Sequence, residues 1–174
     1  QWQVSREDQD AFAADSHRKA LAAIDGGHFA AEISPFPVTL RQPDLQTGEV
    51  RLREFVADTD EGPRRDTSPE RLARLKPAFA ARGSVTAGNS SQMSDGAGAV
   101  LVVSERMLRQ FKLQPLARFV GFAVAGVPPE IMGIGPIEAI PRVLRQTGLR
   151  QQDIDWIELN EAFAAQSLAV IRSL

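Results

Sequence analysis

Hydroxyl and amide side chains gather most densely between Val85 and Gly98, in the run Thr86-Ala87-Gly88-Asn89-Ser90-Ser91-Gln92-Met93-Ser94-Asp95. Small residues allow a backbone to approach a ligand or another segment closely, and serine hydroxyls both donate and accept hydrogen bonds. Such a loop could cradle the polar arm of a ligand; the same composition also suits a tight turn inside a core. Asn160 is a second candidate. It follows the apolar segment Asp153 to Leu159 and precedes a helical pattern, which would set a side-chain amide and free N–H groups at the C-terminal edge of a sheet. There the amide could donate to developing negative charge, or it could cap the helix. Arg64-Arg65 is a third, because guanidinium forks suit the phosphates of an anionic nucleotide, although the pair also reads as ordinary surface charge. His17 and His28 have no Asp, Glu or Cys at ligand spacing and read as structural, as does Asp95; no metal site is expected. With no cysteine anywhere in its 174 residues, the chain holds no thiolate nucleophile, thiolate metal ligand or disulfide.

The elements that must position these residues follow from periodicity. Ser5 followed by Asp8 resembles a capping box, and Phe12, Ser16, Ala20, Ala23 and Ile24 recur at helical spacing until Gly26-Gly27. Glu32 to Leu40 and Val50 to Phe55 are β-like, with turn signals Pro43-Asp44 and Thr47-Gly48 between them, so a hairpin is predicted with Val38 and Leu40 matching Val50 and Leu52. Asp58 to Asp66 lacks periodicity and reads as a solvated loop. Ser68-Pro69-Glu70 opens a helix whose stripe is Leu72, Leu75 and Phe79 and which Gly83 ends. Ala99 to Val103 is a short apolar block and predicts a strand buried on both faces; Leu116 to Ala125 and Asp153 to Leu159 predict further buried strands. Between them lie a short helix over Glu105 to Phe111 and a loop at Gly126-Val127-Pro128-Pro129. Ile131 to Pro136 carries too much Gly and Pro for a helix or strand interior. A helix is predicted over Pro136 to Thr147, with Ile137, Ile140, Val143 and Leu144 on one face, Gly148 as its stop and Pro141 as a kink.

Alternating strand and helix signals argue for an α/β layer architecture. A hydrophobic content of 43% over 174 residues supports one real core, so one domain or a piece of a larger one is expected. A net charge of -2 offers no general electrostatic case for nucleic acid. No apolar run approaches the roughly 20 residues that span a bilayer, and no signal-like apolar region opens the chain. The first residue is Gln1 rather than Met, so the chain is expected to be part of a longer polypeptide.

The run Thr86 to Gly98 resembles the signature segment of the thiolases, enzymes that make or break the carbon bond of 3-oxoacyl-CoA. Asn160-Glu161-Ala162-Phe163-Ala164-Ala165 resembles a second thiolase segment in the expected order, and Met132-Gly133-Ile134-Gly135-Pro136 a third. The resemblance implies a thiolase-like layered αβαβα fold, incomplete in this chain. Residues 1–83 would be the end of the N-terminal half with the loop domain that covers CoA, and residues 84–174 the first part of the C-terminal half. It further implies that Ala87, Ser90 and Ser91 contact the pantetheine arm, Ser91 through both its hydroxyl and its amide. Arg64 would lie against the adenine end, Met132 would line the acyl pocket, and Ala162 and Phe163 would wall the reacting thioester. Arg71 stands where some members have a serine, which puts that contact in doubt. Asn160 would hold a water that donates to the thioester oxygen, and is the one catalytic residue assigned. Glu161 would orient neighbouring groups.

The family mechanism needs a cysteine nucleophile, a histidine that activates it and a second cysteine that moves the substrate proton. By resemblance these lie outside the chain, so its parent is expected to be an acyl-CoA C-acyltransferase and the fragment itself to be inactive. CoA thioesters are the implied substrates, with no separate cofactor; a homodimer or homotetramer, a cytoplasmic location and a role in fatty acid β-oxidation or other lipid metabolism are the accompanying expectations. Two other classes stay open: a non-catalytic relative that interacts with CoA or an acyl carrier, and a purely structural α/β piece.

Overall fold

The computed structural model describes residues 2–174. Ser5 starts α1 (Arg6–Asp25): its hydroxyl accepts the Asp8 amide at 3.0 Å, satisfying one of the N–H groups that a first turn leaves without a partner. At the other end Gly26 donates to the Ala22 carbonyl, and Gly27 takes a positive φ of 71°, a region a side chain would disfavour. Phe12, Ser16, Ala20, Ala23 and Ile24 are half-buried, but the fully buried positions of α1 are Gln9, Asp10 and Ala13. Two of those three are polar, so apolar periodicity alone does not find them.

Strands β1 (Phe36–Pro43) and β2 (Val50–Ala57) form an antiparallel hairpin closed through Asp44 to Glu49, with Gly48 at φ 74°. Val38 faces Phe55 and Pro43 faces Val50 across the hairpin, with the Asp44–Glu49 backbone bond closing the turn. Residues 32–35 stay outside the strand, since no partner residues lie opposite them. The loop over 58–66 is irregular, as its composition predicts.

Ser68 caps α2 (Pro69–Ala73), accepting from the Arg71 amide at 3.3 Å. The helix stops there instead of running to Gly83. Pro77 supplies the reason: its ring disfavours helical geometry at Lys76, and it has no N–H to donate back to Ala73. Leu72 is buried, whereas Phe79 is 77% exposed, so the stripe predicted for a longer helix is not made.

α3 (Glu105–Phe111) is capped by Ser104 and ends at Lys112 in the left-handed region. The blocks predicted as buried strands at 99–103, 116–125 and 153–159 carry no strand pairing among the described residues, and Leu101, at 84% exposure, stands in water. A strand is defined by a neighbour that takes its N–H and C=O groups, and these apolar blocks have none here. Pro129–Ile134 forms a 3-10 turn where neither helix nor strand interior was expected, broken at Ile131 (φ -125°, ψ 28°). It feeds α4 (Gly135–Thr147), which continues through Pro141 and stops at Gly148 in the left-handed region. Its face of Ile137, Ile140, Val143 and Leu144 is half-buried. α5 (Ala164–Ser173) begins at Phe163 as N-cap, so Asn160 lies ahead of the helix and does not cap it.

α1 packs against α2 and α5, and α5 in turn against α4 and the 3-10 turn. The buried apolar residues are Ala13, Leu72, Ala164, Ala169 and Val170. Alongside them Gln9, Asp10, Thr86, Asn89 and Ser167 are equally buried, so the centre of the molecule is substantially polar.

Candidate functional site

The serine-rich loop is shaped by its own side chains. Asn89 Oδ1 accepts the Thr86 amide at 2.8 Å, Thr86 Oγ1 accepts the Gly88 amide at 3.2 Å, and Ser90 Oγ donates to the Thr86 carbonyl at 2.6 Å. Thr86 and Asn89 are buried while Ala87 and Ser91 are exposed, so the turn keeps its hydrogen-bonding core inside and offers its small residues outward. Gly88 is required by close packing: a methyl there would fall on Leu72 Cδ2 and lie 2.6 Å from Leu75 Cδ1 of the α2 segment.

Backbone bonds tie this loop to the distant segment that begins α5. Ser91 donates its amide to the Ala162 carbonyl at 3.0 Å, and the Ala164 amide donates to the Asn89 carbonyl at 3.0 Å, flanking an antiparallel bridge between Ser90 and Phe163. One consequence corrects the expected role of Ser91. Its amide is already bound to Ala162, so only its hydroxyl and carbonyl remain for a ligand. The Phe163 ring meets Phe79 edge-on, with centroids 6.2 Å apart.

Arg64, Ala87, Ser90 and Ser91 line one open cleft of about 1200 Å³ between the serine loop, the α2 region and the loop after β2. His17, Asp66, Leu72, Leu75 and Gln92 share that lining and were not assigned to it from the sequence, and so does Arg71, whose contact the resemblance had left in doubt. Arg64 enters through two contacts: its amide donates to His17 Nδ1 at 3.1 Å and its Nε pairs with Asp66 at 3.3 Å. Arg71 pairs with the other Asp66 oxygen at 2.7 Å. The Arg64 guanidinium beside Asp66 holds its carboxyl below the usual carboxylate value, with Arg71 pulling in the same direction. Arg64 and Arg71 share the Asp66 carboxylate, and Asp58, Asp60 and Glu61 also line the cleft, so its lining is not cationic overall; what it offers a phosphate is the guanidinium donors themselves. Arg65 turns away and binds Asp25 at the end of α1 through both guanidinium nitrogens, at 2.6 and 3.0 Å, so the two arginines do not act as a pair. For His17 the sequence signal lay in its place one turn from Ala13 and Ala20 on α1, but its contact with the loop after β2 is visible only in the fold.

The remaining candidates lie outside that lining. Asn160 is exposed three residues ahead of the helix cap. Glu161 accepts the Ser16 hydroxyl at 2.5 Å, which anchors the segment to α1. Ala162 and Phe163 are half-buried against the serine loop. Met132 is 76% exposed on the 3-10 turn; beside it a second cavity of about 430 Å³ is lined by Ile131, Gly133, Ile134, Gln9 and Gln166 but not by Met132. Among the described residues no helix is long and apolar enough to cross a membrane.

The sequence profile described as the thiolase N-terminal domain matches residues 1–106, and that of the thiolase C-terminal domain matches residues 113–174. The chain belongs to the thiolase family. It is 52% identical over 171 residues to the 3-ketoacyl-CoA thiolase of Bacillus subtilis, covering 98% of this chain and 44% of that protein. It is likewise 52% identical to the acetyl-CoA acetyltransferase of Pseudomonas aeruginosa, covering 98% of this chain and 41% of that protein. Among solved structures, the acetyl-CoA acetyltransferase of Bacillus anthracis superposes with a TM-score of 0.87 at 46% identity over 99% of this chain, and the human mitochondrial 3-ketoacyl-CoA thiolase with 0.84 at 44% over 98%. This thiolase-family chain spans 41% and 40% of those two structures, so what it shows is an incomplete thiolase-like α/β fold.

Proposed function

We propose that the whole protein carrying this chain is an acyl-CoA C-acyltransferase that runs the reversible Claisen condensation and thiolysis of 3-oxoacyl-CoA. The observation that supports this best is the antiparallel seam that brings the serine loop, which faces the cleft, against the segment Asn160 to Phe163. In this reading the Arg64 side chain receives the nucleotide of CoA, and Ala87, Ser90 and Ser91 border the pantetheine arm. Ala162 and Phe163 stand beside the thioester, and Met132 beside the acyl group. Asn160 fixes a water aimed at the thioester oxygen, where a donor stabilises the enolate that forms as the carbon bond breaks.

The 174 residues contain no cysteine. The thiolate that takes the acyl group, the histidine that activates it and the cysteine that returns the proton to the enolate are therefore assigned to the rest of the whole protein. CoA thioesters are the substrates, with no separate cofactor, and residues 1–83 cover the CoA while residues 84–174 carry the thioester end. A homodimer or homotetramer, a cytoplasmic location and a place in fatty acid β-oxidation belong to the same proposal. The Candida tropicalis relative at 50% identity is named a peroxisomal 3-ketoacyl-CoA thiolase, so cell fractionation decides the location.

The test is thiolysis of acetoacetyl-CoA by the whole protein, with CoA binding followed separately by calorimetry. Turnover with a covalent acyl-enzyme supports the reading. CoA binding without turnover favours the non-catalytic relative, and absence of both removes CoA chemistry altogether.

A further inference from the structure

Beneath the serine loop lies a buried polar cluster built on Asp10, Arg6 and Asn89, none of which lines the cleft. Asp10, on the buried face of α1 and 4% exposed, accepts from Arg6 Nε at 2.7 Å with one carboxylate oxygen. Its other oxygen accepts from Asn89 Nδ2 at 2.9 Å. Arg6 is fixed in turn by the Leu72 and Leu75 carbonyls, at 2.6 and 3.1 Å, at the C-terminal end of the short α2. The Asn89 amide also reaches the Ser84 carbonyl at 3.1 Å. Asn89 thus holds the loop through Oδ1 on Thr86 and holds the start of α5 through its own carbonyl on Ala164.

An asparagine side chain can sit in two orientations related by exchange of its oxygen and nitrogen, and only one is compatible with these partners. The carboxylate of Asp10 can accept and cannot donate, so it selects the orientation in which Nδ2 faces α1 and Oδ1 faces the Thr86 amide. Leaving such a group buried without its partner carries a large penalty, because water cannot replace the lost bond. We infer that Asp10 is a positioning residue for the proposed acyl-CoA site: by orienting Asn89 it sets both the serine loop and the thioester segment at once. This rests on the function proposed above, yet its geometry is separable from turnover.

A charge swap tests it in the whole protein. Asn89→Asp sets two carboxylates against each other and removes the donor. Asp10→Asn combined with Asn89→Asp restores the pattern, since Asn at 10 accepts from Arg6 through Oδ1 and donates through Nδ2 to the carboxylate at 89, whose other oxygen still accepts from Thr86. What it does not restore is the bond to Ser84, whose carbonyl then faces a carboxylate oxygen, and the charge of the Arg6–Asp10 pair, which becomes a hydrogen bond to a neutral amide. The expected result is a KM for CoA raised about tenfold or more in Asn89→Asp and brought back to within about fivefold of wild type in the double variant. Hydrogen exchange at the Thr86 and Ala164 amides should accelerate in the single variant and slow again in the double one. A double variant no better than Asn89→Asp, or one that fails to fold, overturns the inference, as does unchanged exchange in the single variant. If Asn89→Asp itself fails to fold, a folded double variant with recovered exchange upholds it. A wild-type protein that neither binds nor turns over CoA defeats the proposed function, and the exchange data still decide the role of Asp10.

Discussion

Replacing Gly88 by alanine probes how the serine loop sits on α2. The added methyl would lie 2.6 Å from Leu75 Cδ1 and closer still to Leu72 Cδ2, whereas carbon atoms rest at about 3.5–4.0 Å, so something must yield by about 1 Å. Leu75 is 38% exposed and can change rotamer. Leu72 is 5% exposed and has no such freedom, so the strain passes to the loop. Overpacking of this kind costs about 1–3 kcal/mol. If about 1.4 kcal/mol of it is expressed in the loop that carries Ala87 and Ser90, CoA affinity falls about tenfold. Leu72→Ala removes the obstructing methyl at a cost of about 2–5 kcal/mol by itself. In the double variant the contact with Leu72 is gone and only Leu75, which can change rotamer, still meets the methyl, so the destabilisation should fall short of the sum of the two single variants by about 1–3 kcal/mol. Urea unfolding of the whole protein and its variants, with CoA titrations alongside, measures both quantities. Additivity of the two substitutions to within about 0.5 kcal/mol would refute the steric argument.

Asn160→Ala should lower kcat in thiolysis by about 10²-fold while changing KM for CoA little, because a donor to the enolate acts only as charge develops; an unchanged kcat would remove Asn160 from the chemistry. Acid sensitivity supplies a second check. The hydrogen bond from Arg172, 2.8 Å away, holds the Asp8 carboxyl below its ordinary value and links α1 to α5. Because the folded value is depressed, the unfolded chain takes up the proton first: this stability is fully present above the unfolded value of about 3.9 and is lost as pH falls through the lower folded one. Asp8→Asn should flatten that part of the profile between about pH 5 and pH 2, by a small amount because both partners are largely in water. Parallel urea midpoints for the two proteins across that range would contradict it.

What could be read from the sequence was whatever is decided within a few neighbouring residues. Ser5, Ser68 and Ser104 cap the helices they precede, and Gly148 ends α4, because caps depend on side chains within one turn. The blocks at 99–103, 116–125 and 153–159 were misread because apolar composition says a segment can be a strand, while only a partner makes it one. Pro77 cut α2 short although the Leu72, Leu75, Phe79 spacing continued beyond it. At the site, Arg64, Ala87, Ser90 and Ser91 meet in one cleft, whereas Met132 and Asn160 stand in solvent outside it. His17 looked structural because its contact, the Arg64 amide, lies 47 residues away. Asp10 and Asn89 were unreadable for a related reason. A buried aspartate on α1 looks like a surface acid until the amide that donates to it, 79 residues later, is placed against it.

The seam between the serine loop and the start of α5 is made of main-chain amides and carbonyls at Asn89, Ser91, Ala162 and Ala164. Peptide groups are the same whatever side chain they carry. Alignment of the two segments is therefore indifferent to the side chains at 91 and 162, and mutational drift at 91 can change the cleft lining without loosening the joint beneath it. Libraries that vary Ser91 would alter the cleft lining on an unaltered frame, whereas a proline at 91 or 164 would delete a donor and open the frame itself.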